Sequence, residues 1–151
     1  MTLPEIALIL GFAMLVAGST VPFVCRSIDV FRAGAALEVH VRDVAALRAA
    51  LARTTETADR VRIHGSAPAA RLDTDPTETG QFLRLEFSNG DLAPFATVEL
   101  RGNRLWLRRS DGGEWVMGSG WENLSFSFVD GVIRVTGHCR GIPADLWVAT
   151  S

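Results

Sequence analysis

Lysine is absent from this chain, so its 15 basic residues are all arginine, set against 17 acidic ones. The resulting balance of −2 gives no global electrostatic case for nucleic acid or anionic lipid. Histidine is scarce and scattered, at His40, His64 and His138, and the only thiols are Cys25 and Cys139. No His-x-x-x-His, Cys-x-x-Cys or Gly-x-Ser-x-Gly pattern occurs, which removes the commonest metal and nucleophile motifs. His138 and Cys139 are adjacent, but neighbours on a strand point to opposite faces and do not form a thiol–imidazole pair. The sequence therefore offers no catalytic residue, no cofactor-binding residue and no metal ligand. It reads as a protein that is not an enzyme.

Charge is also missing from one long stretch. After Glu5 no ionisable acid or base occurs from Ile6 through Val24. That run is about the roughly 20 residues that a bilayer core requires. A secretory signal needs a basic segment ahead of its apolar stretch, and Met1-Thr2-Leu3-Pro4-Glu5 has none. A lipoprotein signal places small residues before its cysteine, whereas Cys25 follows Pro22-Phe23-Val24. A simple anchor with its N-terminus inside carries its positive charge on the cytoplasmic side. Here Arg26 and Arg32 come after the run. Removal of a short basic leader just before Met1 would account for all three failures.

Met1, Thr2, Leu3 and Glu5, with Pro22 further along, resemble the mature N-terminus of the type IV pilin superfamily. Gly11 and Gly18 fall where family helices carry small residues, and Pro4 departs from the usual aliphatic residue. The resemblance is strong over residues 1–25. It implies assembly through Met1, Thr2, Glu5 and Pro22, with Glu5 pairing with the amine of residue 1 on a neighbouring subunit. It also implies processing by a prepilin peptidase/N-methyltransferase and partnership with other pilin-like subunits and an inner-membrane assembly machinery. An ion pair is the form in which a carboxylate is tolerated in hydrocarbon. A second reading of the same residues stands beside it. Thr2-Leu3-Pro4-Glu5 is a capping box, and Pro4 suits a first helical turn. Capping in the free subunit and pairing in the filament are compatible.

Past Cys25 the helix is expected to continue to residue 60. Ile28, Phe31, Ala35, Leu37, Val41, Val44, Leu47 and Leu51 recur mostly at three- and four-residue steps. Residues 61–80 are rich in Pro, Gly and Thr and are expected to connect. From 81 to 151 alternating segments predict strands. "FATVELR" and "RLWLRRS" meet at Gly102-Asn103, and "NLSFSFV" turns at Asp130-Gly131 into "VIRVTGH". The expected fold is α+β. A long N-terminal α-helix, membrane-spanning in its first half and amphipathic in its second, packs on a mostly antiparallel β-sheet head. The run Arg101-Gly102-Asn103-Arg104-Leu105, then Gly112-Gly113-Glu114-Trp115 and a Phe-rich strand, resembles the larger minor pseudopilins more loosely.

Two further features carry alternatives. Arg104, Trp106 and Arg108 share a strand face, and cations beside an aromatic could track a nucleic-acid backbone and stack on a base. The preferred reading is a solvated face with Trp106 half-buried under arginine stems. Cys25 and Cys139 are expected too far apart for an intramolecular bridge, which needs Cα atoms within about 7 Å.

The expected role is a minor pilin or pseudopilin in a type IV pilus, secretion pseudopilus or DNA-uptake filament, with an extracytoplasmic head. The alternative is a single-pass anchored binding module that never polymerises. Mass spectrometry of the N-terminus separates the two: a methylated Met1 amine cut from a longer precursor is expected for a filament subunit, and an unprocessed amine for the anchored module.

Overall fold

A computed structural model describes residues 3–88 and 94–150; Met1, Thr2, the segment 89–93 and Ser151 lie outside the described residues. The chain divides into two compact units, residues 1–39 and 40–151. Helix α1, Leu3–Glu56, starts in the first and ends in the second.

In the first unit α1 is apolar all round from Ile6 to Val24 and carries Arg26, Asp29, Arg32 and Glu38 beyond it. Leu8, Phe12, Leu15 and Phe23 are each about seven-tenths exposed, and the helix is long and apolar enough to cross a membrane. Its few hydroxyls are turned inward. Ser19 and Thr20 both donate to the Val16 carbonyl, and Ser27 donates to that of Phe23. Such bonds let a hydroxyl sit in hydrocarbon with its donor satisfied. The helix runs through Pro22, which supplies no amide proton to the turn before it.

In the second unit the same helix becomes one-sided. His40, Leu47, Leu51 and Thr55 are buried, with Asp43, Val44 and Thr54 partly so, at steps of three and four residues. Val41, expected in this stripe, is 57% exposed. The buried line is displaced because His40, polar by type, holds the inward position that Val41 was assigned. Leu37, in the first unit, is exposed as well. A cluster of threonines ends the helix. Thr54 and Thr55 hydroxyls donate to the Ala50 and Leu51 carbonyls, and Thr57 to that of Thr54.

Among the described residues nine strands follow, in antiparallel pairs. The first sheet has the order β1-β3-β4-β5-β6, built from Arg60–His64, Phe82–Glu86, Phe95–Arg101, Arg104–Arg109 and Glu114–Ser119. The second has the order β2-β7-β8-β9, from Thr79–Gly80, Trp121–Val129, Val132–Cys139 and Ile142–Ala149. The fold is α+β as expected, with the antiparallel head divided between two sheets. The stretch assigned to a connection holds β1, the short helix α2 (Ala67–Leu72) and β2. The amphipathic helix assigned through residue 60 stops at Glu56, and residue 60 opens β1. Gly80 has a specific reason: a Cβ there would collide with the His64 carbonyl, so only glycine lets β2 pass the end of β1.

One core joins the layers. Leu47 and Leu51 of α1 meet Leu83, Leu85, Val98, Leu105 and Leu107 of the first sheet and Trp121, Phe126, Ile133 and Val135 of the second. Beside it, the His40 ring lies 3.1 Å from the Cys139 carbonyl, which makes Nδ1 the donor. Arg140 donates from Nε to Asp43 at 2.7 Å. Arg140 does so from a left-handed backbone, φ 54°, in a turn with Gly141 at φ 76°. That conformation is costly for a residue with a long side chain, and the ion pair to α1 offsets it. Both thiols are free. Burial, and then the Asp43 charge, push the Cys139 thiol up.

Leu47→Ala is expected to destabilise the head by about 2–5 kcal/mol, the range for deleting a fully buried leucine. Val41→Ala should change stability by less than about 0.5 kcal/mol, as for an exposed site. Urea unfolding of the full chain in detergent, followed by tryptophan fluorescence, checks both; equal effects would mean that the helix buries a different face.

Candidate functional site

The residues singled out in the sequence fall into two groups. In the first unit, Glu5 lies in the first turn of α1 and is exposed, and Pro22 lies within the helix. Met1 and Thr2 lie outside the described residues, so the capping box has no geometry to report.

The second group is the arginine hairpin. Gly102 takes φ 62° at the first turn position, which suits a two-residue hairpin turn. Across that turn Arg101 faces Arg104, Glu99 faces Trp106 and Thr97 faces Arg108. Leu105 and Leu107 are buried while Arg104, Trp106 and Arg108 lie on the outer face. The outer face is not purely basic. Arg101 bonds the nearly buried Glu99, reaches Glu114 at 3.3 Å, and lies 5.8 Å from the Trp106 ring centroid. Arg108 pairs with the same Glu114 at 3.1 Å. Hydrogen bonds to Glu114 and then Glu99 push the Arg101 guanidinium further up, and the Arg101 hydrogen bond holds the Glu114 carboxyl below its usual range. Arg101 and Arg108 are therefore paired, while Arg104 is exposed with no ion pair among the described residues. A phosphate backbone would have to compete with Glu99 and Glu114 for its cations. Both carboxylates were within reach of sequence reasoning, since the register set by Gly102-Asn103 places Glu99 opposite Trp106.

The same sheet face carries a second polar network that the sequence reading missed. Arg84, 8% exposed, donates to the Ala70 and Arg71 carbonyls at 2.8 and 3.0 Å. It thereby serves the last carbonyls of α2, where a cation is favoured. It also lies over the Phe95 ring at 4.0 Å and bonds Glu86 at 3.0 Å. Asp73 caps α2 at φ 57° and pairs with Arg62. Burial pushes its carboxyl up, but the Arg62 hydrogen bond and the Arg62, Arg84 and His64 charges bring it below its ordinary value. The alternation Arg60-Val61-Arg62-Ile63-His64 was the available signal for this strand. The network clamps α2 to the sheet, and within it His64 Nε2 and Asp73 Oδ1, 3.6 Å apart, are buried without a hydrogen bond.

Among the described residues no group of three or more His, Cys, Asp or Glu side chains could hold a metal ion. No protein-family model, curated protein or solved structure matches the chain.

On this geometry the full chain in detergent should show no salt-dependent DNA binding above that of an unrelated acidic domain. Two or three free arginines would give a slope of about −0.9 per neutralised phosphate. Binding that steepens at low salt and disappears in Arg104→Gln/Arg108→Gln would reverse this expectation.

Proposed function

We propose that this chain is a structural subunit of a type IV pilin-like filament, a minor pilin or pseudopilin held in the membrane by α1 before assembly. The observation that carries the reading is the length of exposed apolar helix. A bilayer core covers roughly 20 helical residues, and Ile6 to Val24 occupies that length. Beyond it Ile28, Val30, Phe31 and Leu37 remain 45%, 73%, 82% and 54% exposed. A lone anchor leaves these side chains in water, at about 25 cal/mol for each Å² of apolar surface. Packing helix against helix in a filament would remove them from it.

Two further observations support the reading. A Cβ added at Gly11, Gly18 or Gly34 meets nothing within 4 Å. Small residues at such points let neighbouring helices approach closely. Glu5 places a carboxylate at the head of the apolar run, where a neighbour's amine at residue 1 would offset its desolvation. The partners are then other pilin-like subunits, and the head faces away from the cytoplasm.

Glu5→Ala tests this. The variant should reach the membrane at normal abundance, with the head melting as in the parent. Its incorporation into filaments should fall by roughly tenfold or more, because breaking a buried pair strands the opposite charge. Normal incorporation at equal abundance would leave the anchored, non-polymerising module as the better reading.

A further inference from the structure

We propose that the free edge of β6 pairs antiparallel with β6 of a second copy of this chain, across a two-fold axis at Trp115. β6 is an edge strand, bonded on one side to β5. The Arg109 amide donates to the Gly113 carbonyl at 2.7 Å, and such bonded pairs alternate along antiparallel strands. Glu114 and Val116 therefore turn their amides and carbonyls away from β5. Among the described residues no backbone group outside β5 bonds to them.

This edge lacks the features that protect the opposite one. β1 carries Arg60 and Arg62 and is bridged to Pro76 at His64. β6 has no proline and no basic residue, and it is apolar and wet on both faces, with Trp115 46% and Val116 43% exposed. Trp115 pairs in register with buried Leu107, so it lies on the core side, bordering a cavity of about 250 Å³ beneath the last turns of α1. Val116 lies opposite Trp106 on the outer face. A row of open amides and carbonyls is satisfied by an extended backbone, and charge selects a second copy as its source. The edge begins at the acids Asp111 and Glu114 and ends at Ser119, opposite Arg104, which has no ion pair among the described residues. Antiparallel apposition sets the acidic start of each edge toward the other copy's free Arg104. With Trp115 on the axis, Glu114 exchanges hydrogen bonds with Val116 of the second copy. The two indoles then face each other as a non-hydrogen-bonded pair, where side chains come closest. The register shift in β5–β6 pairing falls after Val116, outside these residues. This contact involves the head alone and does not rest on the filament reading.

The experiment is disulfide crosslinking of the full chain in detergent micelles, with Cys25→Ser removing the exposed thiol. Trp115→Cys places two thiols across the axis, whereas Val116→Cys places them off it and on the other face. Under a mild oxidant, Trp115→Cys should give roughly tenfold or more disulfide-linked dimer than Val116→Cys, because only the first pair has Cα atoms within bridging range. Adding Val116→Pro removes an outward amide while leaving the β5 ladder intact, and should lower the Trp115→Cys dimer by a similar factor. Adding Glu5→Ala should leave it unchanged. Equal crosslinking at the two positions, or none at Trp115→Cys, would overturn the proposal. So would a dimer undiminished by Val116→Pro, or one lost with Glu5→Ala, which would mean that α1 and not β6 brings the copies together. A crosslink from Trp115→Cys to a different protein in cell membranes, without the dimer, would overturn the second copy as occupant. Should Val116→Pro fail to fold, the contrast between Trp115→Cys and Val116→Cys decides.

Discussion

Leu47 and Leu51 sit one turn apart on α1 and belong to one buried cluster with residues of both sheets, so the head has a shared core and not two separate ones. Neither sheet closes around itself. Each presents one apolar face, and the helix supplies the surface that joins them. Full burial of a leucine side chain contributes about 1.5–3 kcal/mol, comparable with a large fraction of a small domain's net stability. Polar contacts flank this stripe: the His40 ring on the Cys139 carbonyl, and the Thr55 hydroxyl turned back onto Leu51. These fix the helix's rotation, while the leucines supply the affinity.

The outward face of the first sheet is organised on a different principle. Arg62, Arg84, Arg101 and Arg108 each meet a carboxylate from another position. Surface pairs of this kind contribute little individually. Their effect is on the field of the face, where most of the arginine charge is offset by a neighbouring carboxylate. The run Ile6 to Val24 is its opposite, apolar around the helix, with Glu5 just ahead of it in the first turn. Among the described residues the large exposed hydrophobic side chains are concentrated on α1, which is why the proposed function rests there.

Much of this architecture is legible in the residues. The turns at Gly102-Asn103 and Asp130-Gly131 fall where the alternating patterns change hands, and Leu105 and Leu107 point inward as alternation requires. What escaped was set by contacts distant in sequence. β1 is only Arg60–His64, directly after a helix whose pattern fades gradually, so no sharp stop announced it. α2 is six residues long and rests on Ser66 as its cap, with the Ala69 amide at 3.4 Å, and on Arg84 at its other end. β2 joins the second sheet only through Thr79 and Gly80 pairing with Ser127 and Phe126. A two-residue strand has no periodicity to read. The cavity beneath α1 arises where its last turns and an edge strand leave space, and no single segment encodes it.

β9 closes the second sheet with one side unpaired, which makes it a template for another chain's backbone. Its composition works against that. Pro143 removes one amide from the strand, and Asp145 stands exposed two residues on, bound to Arg134 at 2.7 Å. A foreign strand laid along β9 would find a missing donor and a fixed charge in successive outward positions. β9 can therefore lie at the sheet edge without serving as the start of a continuous ribbon.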